Sequence, residues 1–347
     1  MIKKRLGCVD HSFHKKTKST YFLRNILAEH FEVIDVWDES WNGGDVLTAE
    51  FINSQNFEYV LFFQSHLPVN EFKKIKAKII WVPMYDGVVG LGNFFWMEMS
   101  SLSIKIISFS KTLSDKLRYF GFDVFDVQYF FDFNKFEKIE KSDGIKIFFW
   151  QRTDFNFNDV KKIIGNQKIN QFILKLDPDP RYKAVFPSQK DMEKYNVRIV
   201  QGFLSKEEYM QMLSESNLFI SPRKFEGIGM SFIEAMTMGL AVAAIDNPTM
   251  NEYIKHGENG YLLKLNQLEE IDFSEFSKVG ENARIYCENG YIKWTEDSNK
   301  ISEFILSDFN DSVDLSLYKR SYVEIMQAIY FILKKIASIL RQCKLKI

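Results

Sequence analysis

Two glutamates eight residues apart, Glu226 and Glu234, frame a pair of glycines, Gly227 and Gly229, with Ile228 between them and Met230 just beyond. A basic pair, Arg223-Lys224, stands immediately ahead. A carboxylate accepts hydrogen bonds from two vicinal hydroxyls, so two carboxylates spaced this way suit a polyhydroxylated ligand. Glycines let backbone approach a ligand closely, and the free N–H groups of a following helix face negative charge. The chemistry implied is recognition of sugar hydroxyls and phosphate together. A dinucleotide fingerprint would need a third glycine at 232, which is Phe232, so that reading fails.

The elements around this loop are those of an open parallel sheet. An apolar run, Leu218–Ile220, stops at Ser221-Pro222, and from Met230 the spacing turns helical until Gly239 ends it. Upstream, strand-like runs fall at Arg5–Val9, Val33–Trp37, Tyr59–Phe63, Ile79–Val82 and Ile104–Ser108, with helical stretches such as Ser19–Glu29 and Lys111–Phe120 between several of them. A second alternation begins at Ile145–Trp150 and continues through Phe172–Leu176, Val197–Val200, a helix at Lys206–Ser216 and a small-residue strand at Ala241–Ile245. Ser205-Lys206-Glu207-Glu208 is a capping-box signature for that helix. The alternation predicts parallel sheets covered by helices, and ligands then bind beyond the carboxyl ends of strands. Residues after the first, third and fourth runs are therefore candidates: His11 and His14, then His66, then Tyr85 and Asp86. A solvated basic turn is the plain alternative for the first of these loops. His11 and His14 have a loose metal spacing, but nothing nearby completes a site, and no metal is expected.

At 347 residues the chain is long enough for two cores, and 46% hydrophobic with 26% charged residues describes an ordinary globular composition. The aromatic share of 16%, with 33 Phe, is high, and composition alone gives no reason for it. A net charge of −1 gives no case for nucleic acid. Cys8, Cys287 and Cys343 are odd in number and far apart, which suggests neither a disulfide framework nor a zinc site and favours a reducing, cytoplasmic setting. The opening MIKKRLGCVDHSFHKK lacks an apolar signal core, and no 18-residue apolar run occurs. The stretch Leu317–Ile347 has apolar residues at helical spacing and seven Lys/Arg against the single Glu324. It reads as an amphipathic helix that docks on the protein in its first part and meets an anionic membrane surface from Phe331 onward.

The spacing Glu-x7-Glu, with Gly-x-Gly inside and Glu-Ala-Met-x-x-Gly behind, resembles the family-4 retaining glycosyltransferases of the GT-B fold (glycosyl transferases group 1). The resemblance implies an α/β GT-B architecture, two Rossmann-like parallel-sheet domains facing each other across a cleft, with a C-terminal helical tail. It divides the chain into an acceptor-side domain (1–137), a linker (138–144), a nucleotide-sugar domain (145–300) and C-terminal helices crossing back (301–347). The family's interdomain strand and turn correspond to Val124–Phe136. The reaction implied is sugar transfer from a nucleotide diphosphate sugar to an acceptor hydroxyl with retention, without a cofactor or metal. The acceptor would be a saccharide or lipid-linked saccharide of a bacterial surface polysaccharide such as lipopolysaccharide. Residue by residue, Glu226 falls near the donor sugar hydroxyls, Glu234 on the ribose diol, Gly227–Gly229 and Met230 against sugar and diphosphate, and Arg152 on the diphosphate.

Three departures from the family pattern stand out. Tyr85-Asp86 occupies the place of a histidine, Phe157 that of a second cationic residue, and Asn247-Pro248-Thr249 that of a Gly-Gly loop, while Glu252 keeps the usual glutamate. Lys224, read as catalytic, or a lysine from Lys161-Lys162 is expected to supply the missing charge, while Arg223 and Lys224 together add positive charge beside the loop, one of them reaching the leaving group. Asp177-Pro178-Asp179 is a literal Asp-x-Asp; flanked by prolines it reads as a turn, with manganese binding as the second reading. Two other functions share this fold and nucleotide site: a sugar-nucleotide epimerase, and a non-catalytic sugar-nucleotide-binding subunit.

Overall fold

The structure, a computed structural model, describes residues 3–140 and 143–309 together with Ile325 and Ile329. Apart from those two isoleucines, which are exposed, the amphipathic tail and its membrane-facing half from Phe331 lie outside the described residues.

Six strands form a first sheet: β1 (Lys4–His11), β2 (Phe31–Asp38), β3 (Tyr59–Phe63), β4 (Lys78–Val82), β5 (Ile104–Ser108) and β6 (Asp123–Asp126). Their order is β2-β1-β3-β4-β5-β6 and every pairing is parallel. A second sheet contains β7 (Ile145–Gln151), β8 (Ile169–Leu176), β9 (Val197–Val200), β10 (Leu218–Ile220), β11 (Ala241–Ile245) and β12 (Tyr261–Leu263), in the order β12-β11-β10-β7-β8-β9. It too is parallel throughout. Helices cover both faces, which is why all five residues of β3, and all five of β11, are buried whichever way they point. The order reverses between β1 and β3 in one sheet and between β7 and β10 in the other, and crevices open at such points beyond the strand ends.

Several sequence expectations need adjusting. Asp10 and His11 belong to β1 itself, and Phe13–Thr17 forms a short helix where a basic loop was expected. Tyr85 likewise opens a short helix, Tyr85–Val88. The segment from Val124 supplies part of a sixth strand to the first sheet before it turns toward the second domain. The helix predicted at Lys206–Ser216 runs Lys206–Ser214 and carries the expected capping box between Ser205 and Glu208.

The 31-residue helix Phe276–Leu306 escaped the periodicity reading. It starts on the second domain, where a Cβ on Gly280 would lie 2.2 Å from the Gly239 carbonyl, and ends against the first. There the Phe304 carbonyl accepts the buried Lys105 ammonium at 2.5 Å. A boundary at residue 300 falls inside this helix.

The aromatic excess has a place in this architecture. Trp294, on the long helix, packs its ring 5.1 Å from Tyr129, 5.8 Å from Phe22 and 6.3 Å from Phe109. Phe130 meets Tyr253 at 5.3 Å and Tyr286 at 5.7 Å. Large rings from both domains thus form one seam where the chain crosses between them, supplying apolar area that neither sheet provides alone.

Glu252 fastens the seam. Its carboxylate accepts the Lys111 and Thr112 backbone N–H groups at 2.7 and 2.9 Å and the Ser110 hydroxyl at 2.9 Å. A residue of the second domain thereby caps the helix Lys111–Tyr119 of the first, where its charge opposes the positive end of the helix dipole. Glu252→Ala is expected to cost about 1–2 kcal/mol, the usual loss of a helix cap. Thermal melting of the variant beside wild type measures it; an unchanged midpoint would show that the carboxylate does not hold the domains together.

Candidate active site in the interdomain cleft

The carboxyl ends of β7 and β10 lie side by side, with Phe149 opposite Ile220 in the register. Each strand therefore delivers its next few residues to the same crevice. Arg152 follows β7 and Arg223 follows β10. The Thr153 hydroxyl, donating to the Pro222 carbonyl at 3.0 Å, ties the two loops together.

Arg152 and Arg223 converge on one carboxylate, Asp179. Arg152 donates from Nε (3.1 Å) and Nη2 (2.9 Å) to Oδ1, and Arg223 from Nη2 (2.9 Å) to Oδ2. Arg223 also reaches Asp86 of the first domain, Nη1 to Oδ2 at 3.5 Å. The cluster thus spans the cleft, and each of its four side chains retains between 21% and 31% of its exposure. Burial raises the Asp86 carboxyl above its usual range despite Arg223 beside it. Asp179 is therefore an arginine partner in this structure, and Asp177 pairs with Lys175 and accepts the Gly202 N–H.

Lys224 turns away from that cluster to Asp154, at 2.7 Å. Lys161 and Lys162 pair with Asp191 and Asp159. The second positive group beside Arg152 is thus Arg223.

The glycine loop lies where β10 passes into the helix Met230–Met238. Gly229 precedes the helix with φ +80°, a conformation that disfavours any side chain, and no side chain caps the exposed N–H groups. Gly227 presses on the opposite domain, where a Cβ would lie 2.9 Å from Met84 and 3.1 Å from Asp86 Oδ1. Ile228 is buried beneath. Thr249 fixes the loop, its hydroxyl lying 3.0 Å from the Glu226 carbonyl and 2.9 Å from that of Gly227, and Asn247 donates to the Lys224 carbonyl at 2.9 Å. The Asn247-Pro248-Thr249 segment therefore grips the backbone of the site.

The two glutamates have different surroundings. Glu226 is enclosed by protein on most sides, and its carboxyl is raised to about 7, first by burial and secondarily by Asp86 and Asp179, with Arg223 and Arg152 opposing. Glu234, in the second turn of the helix, is 7% exposed and ion-paired with Lys206. Burial raises its carboxyl as well, and Lys206 opposes the shift.

On the first domain the candidate residues do not form one group. His14 Nδ1 lies 2.6 Å from Asp10 Oδ1; Asp10 is fully buried and its Oδ2 also receives Thr20 Oγ1 at 2.8 Å and Arg24 Nη2 at 3.1 Å. In the neutral tautomer whose Nδ1 donates to Asp10, the lone pair lies on Nε2. His11 packs on His14 with ring centroids 3.8 Å apart, and burial lowers its pKa. Asp10, His11 and His14 offer ligand atoms within 4.8 Å of one another, so the fold supplies the third group that the sequence reading did not find. Its charge is already matched by Arg24.

His66 donates from Nδ1 to the Leu67 carbonyl oxygen at 3.1 Å and sits among Trp81 and Phe95, with ring centroids 5.5 and 5.2 Å away. Tyr85 packs on Phe225 across the cleft at 6.0 Å. Lys16 lies 3.7 Å from the Phe203 ring centroid, a further contact between the domains. His256, read as structural, accepts the Leu262 N–H at 3.0 Å. It lines a separate cavity of about 570 Å³ with Tyr261, Gln267 and Asp272, which contains none of the cleft residues.

Sequence reasoning missed the roles of Lys206, Asp154 and Thr249. No local signal marks them, since each meets its partner only through the fold.

Residues 185–273, which contain the arginine–glycine loop and both glutamates, match the family model of glycosyl transferases group 1. The chain is 27% identical over 115 residues to an uncharacterized glycosyltransferase of Haemophilus influenzae, covering 30% of this chain and 32% of that protein, so the match spans about a third of the relative's length. Among solved structures, sucrose-phosphate synthase from Thermosynechococcus elongatus superposes with a TM-score of 0.60 at 12% identity, over 87% of this chain and 98% of that one. Anabaena Alr3699/HepE in complex with UDP and glucose gives 0.55 at 12% identity, over 86% of this chain and 100% of that one. The lipopolysaccharide outer core galactosyltransferase WaaB gives 0.51 at 11% identity, over 84% and 99%. The resemblance to glycosyl transferases group 1 thus covers residues 185–273, and the two facing parallel sheets are the GT-B fold. No helix among the described residues is long and apolar enough to cross a membrane.

Proposed function

We propose that this protein is a glycosyltransferase that moves a sugar from a nucleotide diphosphate sugar to a hydroxyl of a saccharide or lipid-linked saccharide, with retention at the anomeric carbon. The observation that carries the reading is the convergence of Arg152 and Arg223 at the paired ends of β7 and β10, beside an uncapped helix N-terminus and Glu226. The group 1 match and the UDP-containing neighbour support a nucleotide sugar as donor.

Breaking the bond between sugar and diphosphate builds negative charge on the leaving oxygen and positive charge on the sugar. Two fixed guanidinium groups and the helix N–H groups favour the first. The Glu226 carboxylate, beside the sugar, accepts hydroxyl hydrogen bonds and balances the second. Glu234 receives the ribose diol once Lys206 yields. On the acceptor side His14, held by Asp10, offers Nε2 to the incoming hydroxyl. No metal or cofactor is part of the proposed mechanism, and the reaction is expected to survive a chelator.

Purified protein incubated with UDP, GDP and ADP sugars separates the alternatives. Slow donor hydrolysis, with transfer when acceptor is present, supports the proposal. Interconversion of sugars marks an epimerase, and binding without turnover a non-catalytic subunit.

The Glu226 carboxyl gives a pH signature. Folded, it holds its proton to about 7, well above its ordinary value of 4.5. The protonated form is therefore favoured by folding, and the associated stability is full below pH 4.5 and lost as pH rises through 7. If the working form is the carboxylate, kcat/KM should rise with pH through about 7 in wild type, and that limb should vanish in Glu226→Gln. The same rising limb in the variant would assign it to another group.

A further inference from the structure

Asp179 is held as an anionic ligand would be. Both oxygens of its carboxylate are bound by arginine, Oδ1 by two N–H groups of Arg152 and Oδ2 by one of Arg223, at 2.9–3.1 Å. Guanidinium forks bind carboxylate and phosphate with the same planar geometry, so the arginines proposed to hold the donor diphosphate are already occupied. We propose that Asp179 is an internal counter-ion that fills the anion site when no nucleotide is bound and that the diphosphate of a nucleotide sugar must displace, so that Asp179 sets donor and product affinity. This rests on the reading of Arg152 and Arg223 as the diphosphate site.

Three features support displacement over permanent pairing. The carboxylate is 28% exposed, so an incoming ligand reaches it without unfolding its surroundings. Its backbone is anchored independently, its N–H donating to the Arg152 carbonyl at 2.8 Å and its carbonyl accepting from Tyr182 at 2.8 Å. The side chain can therefore swing while the turn stays in place.

The charge balance is the third feature. Against two arginines stand Asp179, Asp86 and, when ionised, Glu226. A diphosphate entering with all three carboxylates in place would meet a cluster of net negative charge. Withdrawal of Asp179 removes one of them and frees three N–H donors, which are then available to phosphate oxygens.

The same competition acts when the reaction ends. A nucleoside diphosphate bound to the two arginines leaves more readily if a tethered carboxylate replaces it, since the arginines are then never left unpaired in a partly buried site. Asp179 thus exchanges some donor affinity for product release, and its removal should tighten product binding most.

Calorimetric titration with inorganic pyrophosphate and with UDP tests this in wild type, Asp179→Asn, Asp179→Ala and Arg152→Ala. Uridine, which has no phosphate, is the control. Both Asp179 variants are expected to bind pyrophosphate and UDP about five- to tenfold more tightly than wild type, with uridine unchanged. Arg152→Ala should weaken both phosphate ligands. A lowered steady-state turnover in Asp179→Asn, with slowed UDP release, would accompany the gain.

Weaker binding of pyrophosphate and UDP in both Asp179 variants, with melting midpoints at the wild-type value, would overturn the inference and make Asp179 a positioning residue for the arginines. Unchanged binding would overturn it equally. If Arg152→Ala leaves pyrophosphate affinity at the wild-type level, the diphosphate site itself is misplaced, an outcome distinct from the failure of Asp179 as competitor.

Discussion

Arg152→Ala is expected to lower turnover on the donor by about a hundredfold, the usual cost of removing one fixed donor aimed at developing charge. The fold should be little affected. Arg152 is partly exposed, and its carboxylate partner keeps Arg223 at 2.9 Å, so no buried charge is stranded. Arg152→Lys should recover only part of the loss, because an ammonium supplies charge without the planar fork that makes two parallel hydrogen bonds. Steady-state kinetics of donor hydrolysis, run beside thermal melting, measure both effects. A loss of less than about threefold in the alanine variant, below even one weak hydrogen bond, would leave Arg152 as a partner of Asp179 and nothing more.

The same assay addresses the Asp-x-Asp motif. Asp177 is paired with Lys175 and Asp179 with two arginines, so neither carboxylate presents an uncommitted charge. Activity abolished by EDTA and restored by manganese would show that these pairs open to admit a metal, and would favour the manganese-binding reading of Asp177 and Asp179.

Glu234→Ala carries the second large effect. If Glu234 holds the ribose diol, its loss should weaken UDP binding by about 1.5–3 kcal/mol, the worth of a charged hydrogen-bond partner, or roughly ten- to 150-fold in dissociation constant. Stability should move in the opposite sense or not at all. The carboxylate is 7% exposed with its pKa raised by burial, so its removal relieves a desolvation cost, while Lys206 is 56% exposed and returns to water. Lys206→Ala makes the complementary case. It leaves the buried carboxyl without its cation and favours the protonated form, so UDP affinity should fall more than in wild type as pH is lowered. Isothermal titration of UDP with the two variants reads both. Wild-type affinity in Glu234→Ala would remove the ribose role and leave the pair with Lys206 as a structural ion pair.

What the sequence by itself determined were features that live within a single element or its immediate flanks. The strand at Tyr59–Phe63, the capping box at Ser205, the glycine that ends the helix at 239 and the alternation of strand and helix are set by local periodicity and backbone preference, and the structure reproduces them. The Glu226-Gly-Ile-Gly loop was legible for the same reason, because one strand end and one helix start suffice to build it. The long helix Phe276–Leu306 was not, because its apolar face changes partner along its length as it crosses from one domain to the other, which blurs a single stripe.

Tertiary structure decided how charges were paired. Arg152 and Asp179 lie 27 residues apart, Arg223 and Asp179 44, and Lys206 and Glu234 28. No periodicity links residues so separated, and each has nearer charges in the chain with which it does not pair. Lys224 could be chosen over Arg223 from sequence as readily as the reverse. Only the direction each side chain takes from its loop sends Arg223 into the cleft and Lys224 out to Asp154. The physical reason is general to such sites: a backbone preference is fixed by a residue and its neighbours, whereas an electrostatic partner is fixed by whichever strand ends the sheet order places side by side.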